Sequence, residues 1–382
     1  MPSEFSSDVR ESKIRHVLED FRSDLGKVHA RFVAEVIVGM WASGSVRLTE
    51  IGRALEEDIA LHATRKRLSR NLALKDIEPA IGEYVLERGA RRVKSNTLLV
   101  LAPSSLRKKY AENMEYLDDS LLENGLGETK GYSLCEILAW ELGAQRMTPL
   151  AETLWSRNAP GAKTEVEEVL SMLGKVYAAT DGRGIVVSNN ASLNRLIVPP
   201  LTRDPDCRFA VNFGPSQPLF YKGREFSCGE LGRLCELPYS DRIQKVHPSG
   251  RECSALVSFG FLPVRLPEHP ARPLWLVVLQ HEGKVKQLIL TSESMRKKRS
   301  VLQWALEASN GAWRAEATNR EIKEQVDFDD VRILKYQRLR NMAALMLFYS
   351  FHFTQWNGSG ISDQKVRFSS GDAEHPLPVS IS

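Results

Sequence analysis

The sequence predicts an α/β protein: a helical N-terminal region, a core of mixed β-sheet flanked by helices, and a β-rich stretch inserted before a helical end. Three observations carry that prediction. Apolar residues recur at helical spacing over residues 13–92, and from about Asn96 short strand-like runs alternate with helical segments. Residues 195–290 then place Pro and Gly between β-like runs before the chain turns helical again. With 382 residues and 42% hydrophobic content, the chain is long enough for more than one apolar core.

Taken in order, Val17, Phe21 and Leu25 share one helical face, and "RFVAEVIVGMWASG" ends at Gly44, which can cap it. "LTEIGRALEED" offers Thr49 as an N-cap, and "HATRKRLSRNL" is a second short helix bearing Arg65, Lys66, Arg67 and Arg70. The pair is compatible with a helix-turn-helix; a solvated charged face explains the same cations. "TLLVLA" reads as a buried strand that runs into Arg107, Lys108 and Lys109, cations that suit either phosphate contact or a solvated hairpin. A helix over "TEVEEVLSMLGKVY" precedes the strand "GIVVSNN".

Residues 195–290 read as a second, all-β unit, or as an insertion whose last strands rejoin the core, with runs such as "RFAVNFG", "ALVSFGFLPV" and "PLWLVVLQ". The closing "MAALMLFYSFHF" is too short to cross a bilayer and reads as a buried helix, and the Gly, Ser and Pro-rich segment 357–382 reads as a flexible tail.

The chain carries 52 basic and 48 acidic residues, a formal charge of +4, which permits an anionic partner without requiring one. Five cysteines, Cys135, Cys207, Cys228, Cys235 and Cys253, form no tight pair, and "MPSEFSSDVRESK" has no apolar secretory core, so a reducing cytoplasm is expected. His247 and His269 with these cysteines lack zinc-ligand spacing.

Glu316, Arg320 and Lys323 are three or four residues apart and share one helical face. With "LLVLAPSSLRKKYAENMEYLDDS", "GIVVSNNASLNR" and "AWRAEATNREIKEQVDFDDVRILKYQRLRNM", the chain resembles bacterial insertion-sequence transposases of the DDE type, in the family named after insertion sequence four. The resemblance implies a ribonuclease-H-like core with a β insertion, in which two aspartates and a glutamate hold two magnesium ions for phosphoryl transfer. Laid onto this chain, the first aspartate falls at Ala102, the second at Ser188 and the glutamate at Glu316. Ser309 and Ala312 depart from the upstream part of the third motif, Pro103 and Asn189 depart from the first two, and Lys323 matches the downstream lysine. Asp181 would lie roughly 20 Å from Ser188 along a strand, and Asp118 and Asp119 read as a solvated turn, so none supplies the missing acids.

The organisation expected is a helical DNA-binding-like domain at 13–92, a ribonuclease-H-like core at 93–194 plus 287–356, and the β-rich insertion at 195–286. The function implied is a transposase-derived DNA-binding protein, inactive in strand cleavage and transfer and needing no cofactor. Candidate DNA contacts are Arg65, Lys66, Arg67, Arg107, Lys108, Lys109, Arg320 and Lys323. Inverted-repeat element ends are the DNA that the resemblance implies, a homodimer on DNA is compatible with it, and no membrane is implicated. Two alternatives stay open: an active transposase using magnesium and acids from elsewhere in the chain, and a domesticated scaffold that binds protein through its β insertion.

Overall fold

The computed structural model describes residues 7–21, 26–108, 110–123, 127–142, 144, 147–246, 252–281, 284–295 and 320–356. The chain opens with α1 (Ser7–Asp20), α2 (Gly26–Ser43), α3 (Leu48–Ala54), α4 (Leu61–Asn71) and α5 (Ile77–Ala90). The α2 helix stops at Gly44, whose N–H returns to the Met40 carbonyl with φ +60°. Glycine adopts that left-handed backbone without steric cost. The two short helices form as α3 and α4, but Thr49 is not the N-cap of α3. Arg47 holds that position without a side-chain capping hydrogen bond, and Thr49 lies one residue inside the helix.

One sheet follows, built from β1 (Leu98–Arg107), β2 (Asp118–Glu123), β3 (Gly127–Trp140), β4 (Thr148–Trp155), β5 (Ile185–Ser188) and β6 (Phe209–Asn212). It continues through β7 (Pro218–Tyr221), β8 (Arg224–Ser227), β9 (Tyr239–Val246), β10 (Glu252–Leu266), β11 (His269–His281) and β12 (Lys284–Thr291). The main path is β2-β3-β1-β5-β6-β12-β11-β10-β7-β8, with β4 on β3 and β9 on β10. β1 is antiparallel to β3 and parallel to β5, and β5 is parallel to β6. The order β4-β3-β1-β5-β6 is thus an antiparallel meander that continues into two parallel strands. Gly184, with φ +107°, admits β5 beside β1, because a Cβ there would lie 2.7 Å from Leu99 Cγ.

Helices α6 (Glu165–Ala179), α7 (Ala191–Arg203) and α8 (Cys228–Leu234) share a core with Leu99, Leu101, Val186 and Val211. The N-terminal helices form another core with the closing helix Tyr336–Trp356, which also takes in Leu106, Leu134 and Leu154 of the sheet. The closing helix is buried from Asn341 to His352 as its apolar run requires, and the Asn341 amide donates to the Leu72 and Leu74 carbonyls at the end of α4. Residues 13–92 therefore share their core with the end of the chain.

The all-β reading of residues 195–290 changes. The segment is not all β: α7 runs on through Pro199 and Pro200, held by its buried Leu193, Ile197, Val198 and Leu201, and α8 is a second helix. The sheet is also continuous across residue 195, since β6 pairs with β5 on one edge and β12 on the other. The expected tail at 357–382 lies outside the described residues.

Candidate functional site

Strands alternate side chains between faces, so residues in register across an antiparallel pair project together. Ala102 on β1 stands opposite Glu136 on β3, and Glu136 stands opposite Glu152 on β4. These three side chains form a row on one face, in phase with Val100 and Leu138. Ala102 is buried and contributes a methyl group.

β5 carries Ser188 to the neighbouring parallel position, where Val100 pairs with Val187 and Ser188 pairs with Val211 of β6. Alternation sets Ser188 with Val186, on the face opposite Ala102. The two positions are neighbours in the sheet, but their side chains do not share a face. Around Ser188 the strand ends are knitted by amides. The Ser188 hydroxyl accepts the Asn190 N–H at 3.3 Å, and Asn194 Nδ2 donates to the Ser188 carbonyl at 3.1 Å and the Asn212 carbonyl at 2.7 Å. Asn190 caps α7 by accepting from the Leu193 N–H, and the Asn189 carbonyl accepts from Asn212. Glu316 lies outside the described residues.

Glu136 and Glu152 were not singled out from the sequence. Lys323 Nζ donates to Glu136 Oε2 at 3.1 Å and to Ser104 Oγ at 3.2 Å. The Glu136 side chain is 2% exposed and the Lys323 side chain 18%, so the ion pair is largely out of water. Both Glu152 oxygens are buried, and among the described residues no donor reaches them. Burial first, and the Glu136 charge next, raise the Glu152 carboxyl well above the usual carboxylate range. The Glu136 carboxylate, in register with it on β3, disfavours a second negative charge at Glu152. The signal was present: Glu136 falls in phase with Leu134 and Leu138 in an apolar strand, a position charged residues seldom take without a partner.

The candidate DNA contacts divide. Arg65, Lys66, Arg107 and Arg320 are exposed. Arg67 turns inward and bridges Glu35 at 2.5 Å and Glu57 at 2.6 Å. Lys108 is buried and donates to the Asp329 carbonyl and, at 2.8 Å, the Val331 carbonyl, and burial pulls its ammonium down to about 8. A solvated hairpin does not describe it. Lys109 lies outside the described residues. Asp118 likewise departs from a solvated turn: it is 3% exposed and held by Arg157 at 2.7 and 3.0 Å, whereas the Asp119 side chain is 71% exposed. Beyond the third motif, Arg338 donates to Ser69 and Arg340 pairs with Glu78. Four of the cysteines are free and buried, as core thiols. Among the described residues, no helix is long and apolar enough to cross a membrane.

No protein-family model matches the chain, and no curated protein matches it in sequence. Among solved structures, a cryo-EM structure of a piggyBac transposase synaptic complex with hairpin DNA is similar over 92% of this chain and 73% of that one, with 9% identity and a TM-score of 0.46. A likeness at that score does not establish a shared fold.

Proposed function

We propose that this chain is a transposase-derived DNA-binding protein that has lost strand cleavage and transfer. The strand order β4-β3-β1-β5-β6, three antiparallel and then two parallel strands, supports a ribonuclease-H-like reading of the core. The observation that carries the functional reading is Ala102. On the central strand, where this chemistry needs a carboxylate, the side chain is a methyl group, and the acid beside it is already paired with Lys323.

The described residues do not fit a magnesium pair. Hard divalent ions need several oxygen ligands, usually including one or two ionised carboxylates. Ala102 offers no oxygen, the Ser188 hydroxyl is set on the other face, Glu136 holds an ammonium, and burial with the Glu136 charge favours the neutral form of Glu152. No three His, Cys, Asp or Glu side chains gather as a ligand set among the described residues. DNA affinity rests instead on the outward cations Arg65, Lys66, Arg107 and Arg320, through phosphate contacts that are independent of sequence.

Fluorescence anisotropy on labelled duplexes, with and without terminal inverted repeats, tests the reading across a salt series. Binding that weakens steeply with salt is expected, with no nicking in magnesium or manganese. Absence of binding at low ionic strength overturns it. Cleavage that disappears in Glu316→Ala replaces it with an active transposase. A partner protein retained after nuclease digestion, without DNA affinity, replaces it with a scaffold.

A further inference from the structure

Phosphoryl-transfer sites of this kind place a cation among carboxylates, and in this chain a covalently attached cation already lies against one. Lys323 reaches Glu136 from 187 residues away in sequence, so the contact joins two separate elements rather than neighbours on one helix. Its second partner is Ser104, two residues past Ala102 on β1. The segment that carries it is residues 320–325. Ile322 and Val326 are buried, and the Val326 carbonyl accepts the Val46 N–H at 2.9 Å. Behind Glu152 a cavity of about 20 Å³, enough for a single water, is lined by Glu78 of α5 and Arg340 of the closing helix.

We propose that Lys323 is the resident cation of the Glu136–Glu152 cluster, and that the Lys323–Glu136 pair is a metal-independent latch holding residues 320–325 on the sheet. This rests on reading the β1 position as an inherited phosphoryl-transfer site. The physical argument is one of partners. A buried carboxylate is strongly destabilising without a counter-charge, whereas a matched pair, or two neutral isosteres, is tolerated. Either charge removed alone strands the other, and both removed together leave nothing unpaired. The ammonium also repels a divalent ion from the only oxygens in the row, so the latch and a metal exclude one another.

The test is a thermal-unfolding cycle on the full chain. Wild-type Tm is expected to agree within about 1 °C in EDTA, magnesium and manganese, and Lys323→Met and Glu136→Gln are each expected to lower it by about 5 °C or more. The double variant is expected to recover at least half of the summed loss. Amide hydrogen exchange covers the case in which Lys323→Met fails to fold: in Glu136→Gln, residues 320–326 should exchange at least tenfold faster while α4 is unchanged. A wild-type Tm raised several degrees by magnesium, additive losses in the double variant, or unaltered exchange in Glu136→Gln each overturn the latch. DNA binding by the wild type is a separate readout. If it persists while the cycle is additive, only the latch fails; if it is absent while the cycle couples, only the DNA reading fails.

Discussion

Glu152 meets charge from four elements: Glu136 on β3, Lys323 on 320–325, Glu78 on α5 and Arg340 on the closing helix. Burial, then the Glu136 charge, raise its carboxyl well above the ordinary carboxylate value of 4.5. Between 4.5 and that raised value the folded state binds more protons than the unfolded one, so this group's contribution to stability falls as pH rises through the window. Glu152→Gln removes the titration. Urea unfolding from pH 4 to 8 should show the variant gaining on the wild type by up to about 1.4 kcal/mol per pH unit, with little difference at the acid end; parallel curves would refute it. Lys108 makes a contrasting case. Lys108→Met leaves the Val331 and Asp329 carbonyls without their donor and should cost about 1–3 kcal/mol. Because the ammonium points inward, the DNA affinity of the folded variant should stay at the wild-type level.

At the level of elements, helix ends show what was legible and what was not. Gly44 could be read as a stop, because only a residue free of Cβ strain suits a left-handed cap. Gly44→Ala adds that strain and sets a Cβ 3.3 Å from the Gln325 carbonyl, so a loss of about 1–2 kcal/mol in denaturant unfolding is expected. Thr49 looked equally suitable as a cap but makes no capping bond. Thr164 does cap α6, in a reciprocal box with Glu167. Thr164→Ala should therefore cost about 1 kcal/mol and Thr49→Ala, as a cap, nothing. The α7 helix was missed because Pro199 and Pro200 outweighed an apolar stripe whose burial against the sheet becomes visible only with the fold assembled. Glu136 was missed for a related reason. Its phase within β3 was legible, but its partner Lys323 is brought to it only by tertiary packing.

For the whole molecule, the sequence carried the α/β class of fold, because strand and helix periods are local. It left open whether residues 195–290 form a separate unit or rejoin the core, and the pairing of β6 with both β5 and β12 joins them to one sheet. Nor did the sequence separate outward from inward cations, which share one composition and differ only in what lies beside them. That separation sets the last prediction. A net charge of +4 gives little long-range attraction, so the proposed DNA affinity must come from local contacts that release counterions. If Arg65, Lys66, Arg107 and Arg320 each neutralise one phosphate, the slope of log affinity against log salt is roughly −3.6. Removing Arg65 or Lys66 should weaken binding on every sequence alike and reduce that slope by about 0.9 each. Arg67→Ala should instead lower stability, by removing one of the two cations on the buried Glu35 and leaving it Arg31 alone, while leaving the slope of the folded protein unchanged. A slope that drops in Arg67→Ala and holds in Lys66→Ala would invert the assignment, and would mean that α4 meets DNA with the opposite face.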